Sequence, residues 1–296
     1  MLRIGRLGHV AHVVGDLKAA DRWYDEVFSG HRFYKRYLEA AMREASLIAI
    51  GDFVLEPMMS SPVPGAERTP LAKFYNRFGP RFHSIAWYVD SVPDTFASLK
   101  HRGVKLLNIT GTALDSTPAR ESPMFTHPRD TFGQLEFAEP GIVDDPRLRL
   151  GWSSAYWRDI HPLGIERASH ITVLARDLDR AGAFFAGTLD GKPFHQDDSG
   201  PGNKTRYYLI GEDTVIGTAM PLSSASDAGQ ELEKNGEVIF SVTFKVKDLN
   251  RAESFLRAKG LRVRDRTADS FVVNKDDALG LVLAFTQRSL PNDPRK

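Results

Sequence analysis

The chain has 296 residues, 42% hydrophobic and 26% charged, with a formal net charge of +1 and no cysteine. That size and balance suit two globular domains able to bury real cores. Both signs of charge are dispersed without a basic block, which argues against nucleic acid and anionic membrane as partners and leaves a small-molecule substrate as the expected one, with a homo-oligomer compatible. Without thiols there are no disulfides, zinc fingers or iron–sulfur clusters, so any metal would have to be held by His, Asp or Glu. The opening MLRIGRLGHV lacks the apolar core of a signal peptide, and no run approaches the roughly 20 apolar residues that span a bilayer. The expected setting is the cytoplasm.

Four times a short β-like run places one residue seven positions ahead of an aspartate that opens an amphipathic helix: His9 before Asp16, His83 before Asp90, His170 before Asp177, and Ser241 before Asp248. Self-similarity of this kind marks a repeat architecture. The first unit starts with the valine-rich strand Gly8 to Val14, and Asp16 is a good N-cap for a helix over Leu17 to Phe28, where Leu17, Ala20, Trp23, Tyr24 and Val27 recur at helical spacing. Strand-like stretches follow around Phe33-Tyr34, Ser46 to Ile50 and Phe53 to Leu55, closed by Pro57. The unit reads βαβββ.

The second copy runs from Phe82 to Val89 through a helix bearing Val92, Phe96 and Leu99, stopped at Gly103, to the strand Gln134 to Phe137. A third starts at His170, continues through Leu178, Ala181, Phe184 and Phe185, and ends near Thr214 to Ile216. The fourth starts at Ser241, carries Leu249, Ala252, Phe255 and Leu256 before Gly260, and ends at Leu281 to Phe285. Two units per domain are needed to cover one another's open faces. Residues 1–140 are therefore expected to form one domain, 141–167 with Trp152 and Trp157 a packed linker, and 168–290 a second domain. Pro62 to Pro70 and the polar stretch Ser223 to Gly236 read as connections inside each pair, and the tail from Pro291 as frayed.

His12 lies three residues from His9, so in a strand it points to the opposite face and reads as structural. Glu136 stands between Leu135 and Phe137, which would face helices; an inward carboxylate is costly unless paired or bound to a metal. Glu139, an odd step away, points elsewhere.

The stretch His83 to Asp90, followed by Leu99-Lys100-His101-Arg102-Gly103-Val104, resembles the start of a second module in the vicinal oxygen chelate superfamily. That superfamily includes glyoxalase I, methylmalonyl-CoA epimerase, resistance proteins and extradiol dioxygenases. His127-Pro128-Arg129-Asp130-Thr131 with Gly133 to Phe137 is similar to the end of such a module. The resemblance implies an α+β fold of four βαβββ modules paired into two glyoxalase/dioxygenase-like domains with cupped mixed sheets. It places metal ligands at His9, His83 and Glu136, a set that suits Fe2+, Mn2+, Co2+, Ni2+ or Zn2+ and leaves coordination positions open. In the second half the same positions give His170, Ser241 and Ala284, a vestigial site. At the fourth ligand position, aligned on Pro57, stands Phe53, with Glu56 three residues on; a bulge or register shift would bring Glu56 inward as base or ligand.

Three functions are compatible with this set. One is proton transfer of the glyoxalase or epimerase type, an isomerase or lyase in which the metal acts as a Lewis acid and Glu56 moves the proton. Another is extradiol ring cleavage with Fe(II), with His127, Tyr37 or Tyr75 as acid–base group. The third is a binding protein of the resistance type, without chemistry.

Overall fold

The computed structural model describes residues 2–198 and 202–295. The first half runs β1 (Ile4–Val13), α1 (Leu17–Phe28), β2 (His31–Leu38), β3 (Arg43–Ile50), β4 (Phe53–Ser60), α2 (Pro70–Phe78), β5 (Arg81–Val89), α3 (Val92–His101), β6 (Leu106–Leu107), β7 (Met124–Thr126) and β8 (Gln134–Ala138). The second repeats it: β9 (Ile165–Leu174), α4 (Leu178–Gly182, continued by a wider turn to Thr188), β10 (Lys192–Asp197), β11 (Asn203–Ile210), β12 (Thr214–Pro221), α5 (Asp227–Asn235), β13 (Ile239–Val246), α6 (Leu249–Ala258), β14 (Val263–Arg264), β15 (Ser270–Val273) and β16 (Val282–Thr286). Each half is one open eight-stranded mixed sheet, ordered β2-β3-β4-β1-β5-β8-β7-β6 and β10-β11-β12-β9-β13-β16-β15-β14. The four-module, α+β expectation holds.

Local chemistry explains the repeat. Asp16 accepts from the Ala19 amide at 2.9 Å, and Asp177 and Asp248 cap α4 and α6 in the same way. In the second module the cap is Ser91 rather than Asp90, with Ser91 Oγ accepting from Asp94 N at 3.2 Å. His83 therefore stands eight positions before its helix cap. The extra residue is a bulge: Val10 pairs with Ile85 and His12 with Phe82, so His83 and Ser84 together oppose Ala11. In the second half Val242 pairs with Ile171 and Ile239 with Val173, so Phe240, eight positions before Asp248, holds the register position of His83. The sequence expectation of Ser241 there is off by one residue.

Alternation assigns the faces. Val10, Leu55, Ile85, Trp87 and Phe137 of the first sheet share one continuous apolar core with Ile171, Phe244 and Phe285 of the second and with Tyr24, Phe28 and Leu256 of the helices. Phe28 and Phe53 meet the Phe244 ring at 5.8 and 5.6 Å, and the buried Trp87 indole donates to Thr214 Oγ1 at 3.0 Å. Each fully buried ring of this kind contributes about 1.5–3 kcal/mol relative to exposure.

The opposite, concave faces are covered by α5, inside the stretch Ser223 to Gly236 read from sequence as a connection, and by α2, which follows the connection Pro62 to Pro70 in a stretch without an expected element. Thr69 and Ser226 cap α2 and α5. Leu71 with Phe74 and Tyr75 packs on Ala11, Val13, Ala45 and Met58, while Leu232 and Ala228 pack on Leu174 and Ala219. With so few apolar residues in a polar stretch, helix α5 leaves little periodic signal. The segment after β8 is tied down by a fully buried pair: Arg147 binds Asp145 at 2.5 Å and donates to the carbonyls of Leu7, Gly8 and Asp52. Trp157 donates to Phe28 O at 2.8 Å. The tail is not frayed as expected, because Arg295 pairs with Asp293 and donates to the carbonyls of Ala168, Ser169 and Asp213.

Candidate functional site

Four adjacent central strands, β4, β1, β5 and β8, each present one ligand-type side chain to the first concave face: Glu56, His9, His83 and Glu136. His9 pairs with Ala86, which pairs with Glu136, so these two ends of a row flank a single alanine. Glu56 lies beside Ala11 on the other side. Its inward direction follows from pairing, since its neighbour Leu55 belongs to the convex core. Phe53, the residue aligned by sequence with the fourth position, packs in that core instead.

His9 Nε2 lies 3.1 Å from Glu56 and 3.4 Å from Glu136, and both carboxyls are buried. Both oxygens stand off the direction of the ring N–H, so Nε2 is buried without a hydrogen-bond partner. Burial works against a charge on His9, but the carboxylates of Glu56 and Glu136 outweigh it and raise its pKa to about 10. The pocket of these three groups thus calls for positive charge at Nε2. Burial likewise opposes ionisation of Glu56, yet His9 and then Arg43 hold its pKa down to about 2. His83 is kept neutral, at about 4, by burial and by Arg43, against Glu56. Its Nδ1 is buried without a partner, and its ring stands edge-on to Phe74 of α2 at 4.6 Å. As the side chains stand, no three of His, Asp and Glu among the described residues are grouped to enclose a metal. The donor set nonetheless fits a divalent cation, on the unpartnered nitrogens of His9 and His83 and the two buried carboxylates beside them.

Arg43 was not singled out from sequence. It reaches from β3 with a guanidinium nitrogen 3.7 Å from Glu56, and its Nε is buried without a partner. The only sequence signal is its place just ahead of the strand-like run Ser46 to Ile50, which β3 extends back to Arg43. His127 lies in the turn before Pro128, where its Nδ1 accepts from Arg129 N at 3.3 Å; it lines a cleft of about 880 Å³ that also reaches His83. No contact among the described residues joins His127 to the other four. Tyr37 is 45% exposed on β2, and Tyr75 lies over Gly15, where a Cβ would come within 2.3 Å of its hydroxyl. His12 faces the core, bonded to Tyr24 Oη at 2.8 Å and Leu279 O at 3.0 Å. Glu139 accepts from Val92 N and pairs with Arg120.

In the second cup the same register positions hold Gly217, His170, Phe240 and Ala284. His170 lies 3.3 Å from Thr243 Oγ1 and edge-on to Tyr207 at 5.3 Å, with no carboxylate in the row.

The profile of the Glyoxalase/Bleomycin resistance protein/Dioxygenase superfamily matches residues 6–135 and 167–275. No curated protein matches. Among solved structures, a variant of 4-hydroxymandelate synthase from Streptomyces coelicolor is similar over 99% of this chain and 96% of its own, at 13% identity and a TM-score of 0.67. Methylmalonyl-CoA epimerase from Mycobacterium tuberculosis is similar over 43% of this chain and 90% of its own, at 21% identity and a TM-score of 0.39. With its profile found in both halves, this chain belongs to the glyoxalase/bleomycin resistance protein/dioxygenase superfamily.

Proposed function

We propose that the protein is a divalent-metal-dependent enzyme that takes a small molecule by two neighbouring oxygens and moves a proton on it, as an isomerase or lyase of the glyoxalase type. The observation that supports this reading most is the inward placement of Glu56, 3.1 Å from His9, which adds a fourth polar group to the two imidazoles and Glu136. In this reading His9, His83 and Glu136 hold the cation. When bound, the cation supplies Lewis-acid charge for an enolate developing on the substrate. Glu56 is the group that accepts and returns the α-proton. One of its oxygens faces His9 while the other faces Arg43, so the guanidinium steadies the carboxylate's orientation. His83, uncharged at neutral pH, keeps a lone pair available for ligation. Phe74 and Leu71 of α2 exclude water from the concave face.

A second reading, ring cleavage of a catechol with Fe(II) and His127 as acid–base group, is favoured by one observation: His127 lines the same cleft as His83. Metal content of the freshly isolated protein, followed by anaerobic exchange of substrate protons with deuterated water, tests the choice. Exchange without oxygen supports proton transfer, and oxygen uptake with a catechol moves the assignment to ring cleavage. Absence of stoichiometric metal together with tight ligand binding would leave a binding protein without chemistry.

A further inference from the structure

The cleft of about 880 Å³ that ends at His83 is lined by six cationic side chains, Lys73, Arg77, Arg81, Arg129, Arg176 and Arg180, against one acid, Glu237. Two other hollows are balanced. The one over Phe240 sets Arg81, Lys234 and Lys275 against Asp227, Glu231 and Asp276, and the one beside His170 sets Arg6, Arg167 and Arg295 against Asp52, Glu212 and Asp213. In a chain with net charge of only +1, so lopsided a cleft is a local field that attracts anions.

Three of the six are already held, two by acids and one by a carbonyl. Arg81 pairs with Glu231 at 2.6 Å, Arg180 pairs with Glu237, and Arg176 donates to Leu232 O at 2.7 Å. Lys73, Arg77 and Arg129 have no acidic partner among the described residues; Arg77 rests its guanidinium 4.8 Å from the Phe78 ring. Lys73 and Arg77 are four residues apart on α2 and so share one helical face, where like charges repel and cost stability. Beside them Phe74, Phe78, Phe82 and Ile239 form an apolar wall able to take an organic skeleton. On the far side of His83 a smaller hollow of about 290 Å³ adds Arg43 and Arg68 and no acid.

We infer that the substrate is an elongated organic anion: its phosphate or carboxylate group is held in this cleft by Lys73, Arg77 and Arg129, while its reacting end reaches the His9, Glu56, His83 and Glu136 cluster. The inference rests on the proposed site, because it takes His83 as the inner end of the cleft. Volume agrees, since such a cleft takes a molecule of cofactor-fragment or drug size rather than a two- or three-carbon acid.

Calorimetric binding of pyrophosphate and of succinate to the full-length protein, stripped of metal so that neither probe acts as a chelator, tests it. The wild-type protein should bind at least one of them, with affinity falling as salt rises. Tighter pyrophosphate identifies a phosphate group, and tighter succinate a carboxylate. The triple variant Lys73→Glu, Arg77→Glu, Arg129→Glu should bind at least about 10-fold more weakly, whereas Lys192→Glu, on an exposed strand of the other half, should bind as the wild type does. No binding of either probe to the wild type, unchanged affinity in the folded triple variant, or equal weakening by Lys192→Glu would each overturn the inference. Should the triple variant fail to fold, Arg129→Ala in the exposed loop must still weaken binding a few-fold, and unchanged affinity there overturns it. Because the cleft is titrated without metal, a failure of the metal reading appears separately, as freshly isolated wild-type protein that carries no cation although the stripped protein binds the anion.

Discussion

The two cups of this molecule share strand order, register, helix-cap positions and covering helices, yet differ at three of the four ligand-type positions that face the hollow. The first presents Glu56, His9, His83 and Glu136; the second presents Gly217, His170, Phe240 and Ala284. Since the second holds its shape with none of the carboxylates, those groups are not needed to build the sheet. Two buried acids that share one histidine, with an arginine 3.7 Å from Glu56 as the other cation, are a cost the first cup carries and the second has shed. The contrast separates what folds the chain from what the chain is proposed to do.

The strongest way to break the contrast is to remove ligands. His9→Ala, His83→Ala and Glu136→Ala are each expected to cut metal affinity by more than the roughly 10–100-fold that loss of an outer-shell partner costs, while His170→Ala leaves the metal content unchanged. Elemental analysis decides, and retained metal in the first three would sink the assignment. The converse sharpens it: Phe240→His with Ala284→Glu beside the native His170 should raise the stoichiometry by one. Next in size, Glu56→Gln keeps the metal and lowers turnover by about 10²–10⁴-fold if Glu56 moves the proton, read as kcat under anaerobic conditions.

A smaller effect concerns the joint between the cups. Trp87→Ala should cost about 3–5 kcal/mol and lower the denaturation midpoint of both halves together, because the indole belongs to the core they share. Loss confined to the first half would show that the cups unfold independently.

The mildest test copies one cup's strand into the other. His12 corresponds in register to Val173, and burial, against the Leu279 carbonyl, lowers its pKa to about 4. Between about 6.5 and 4 the unfolded chain binds a proton that the folded one refuses, so stability is complete above the higher value and falls as pH drops, by at most about 1.4 kcal/mol per pH unit for this group. His12→Val should flatten that part of the stability curve against pH. An unchanged slope in urea titrations at pH 7 and 5 would assign the acid sensitivity elsewhere.

Much of the architecture was legible because it is local. The aspartate caps Asp16, Asp177 and Asp248, helical spacing from Leu17 to Phe28 and the recurring histidine strands all lie within a few residues of one another. What escaped depends on pairing across the sheet. The bulge at His83 and Ser84 is visible only once β1 is laid beside β5, and counting back from Asp90 instead of Ser91 put Ser241 where Phe240 belongs. The direction of Glu56 is set by its neighbour on β1, and Arg43 is brought to it by the β3–β4 hairpin, neither of which a linear pattern records. Helix α5 was hidden by polar composition, since Ala228 and Leu232 are its main contacts with the sheet, whereas α2 escaped although Leu71, Phe74 and Phe78 recur on it at helical spacing.

The aromatic seam formed by Phe28, Phe53 and Phe244 has a consequence for dissection. A truncated gene ending after the first cup would bare a greasy slab where Phe244 and its neighbours had been, and such slabs seek any matching surface. The excised half is therefore expected to self-associate or precipitate, so that the carboxy-terminal partner, by covering the slab, acts as a chaperoning lid that keeps its sibling dispersed.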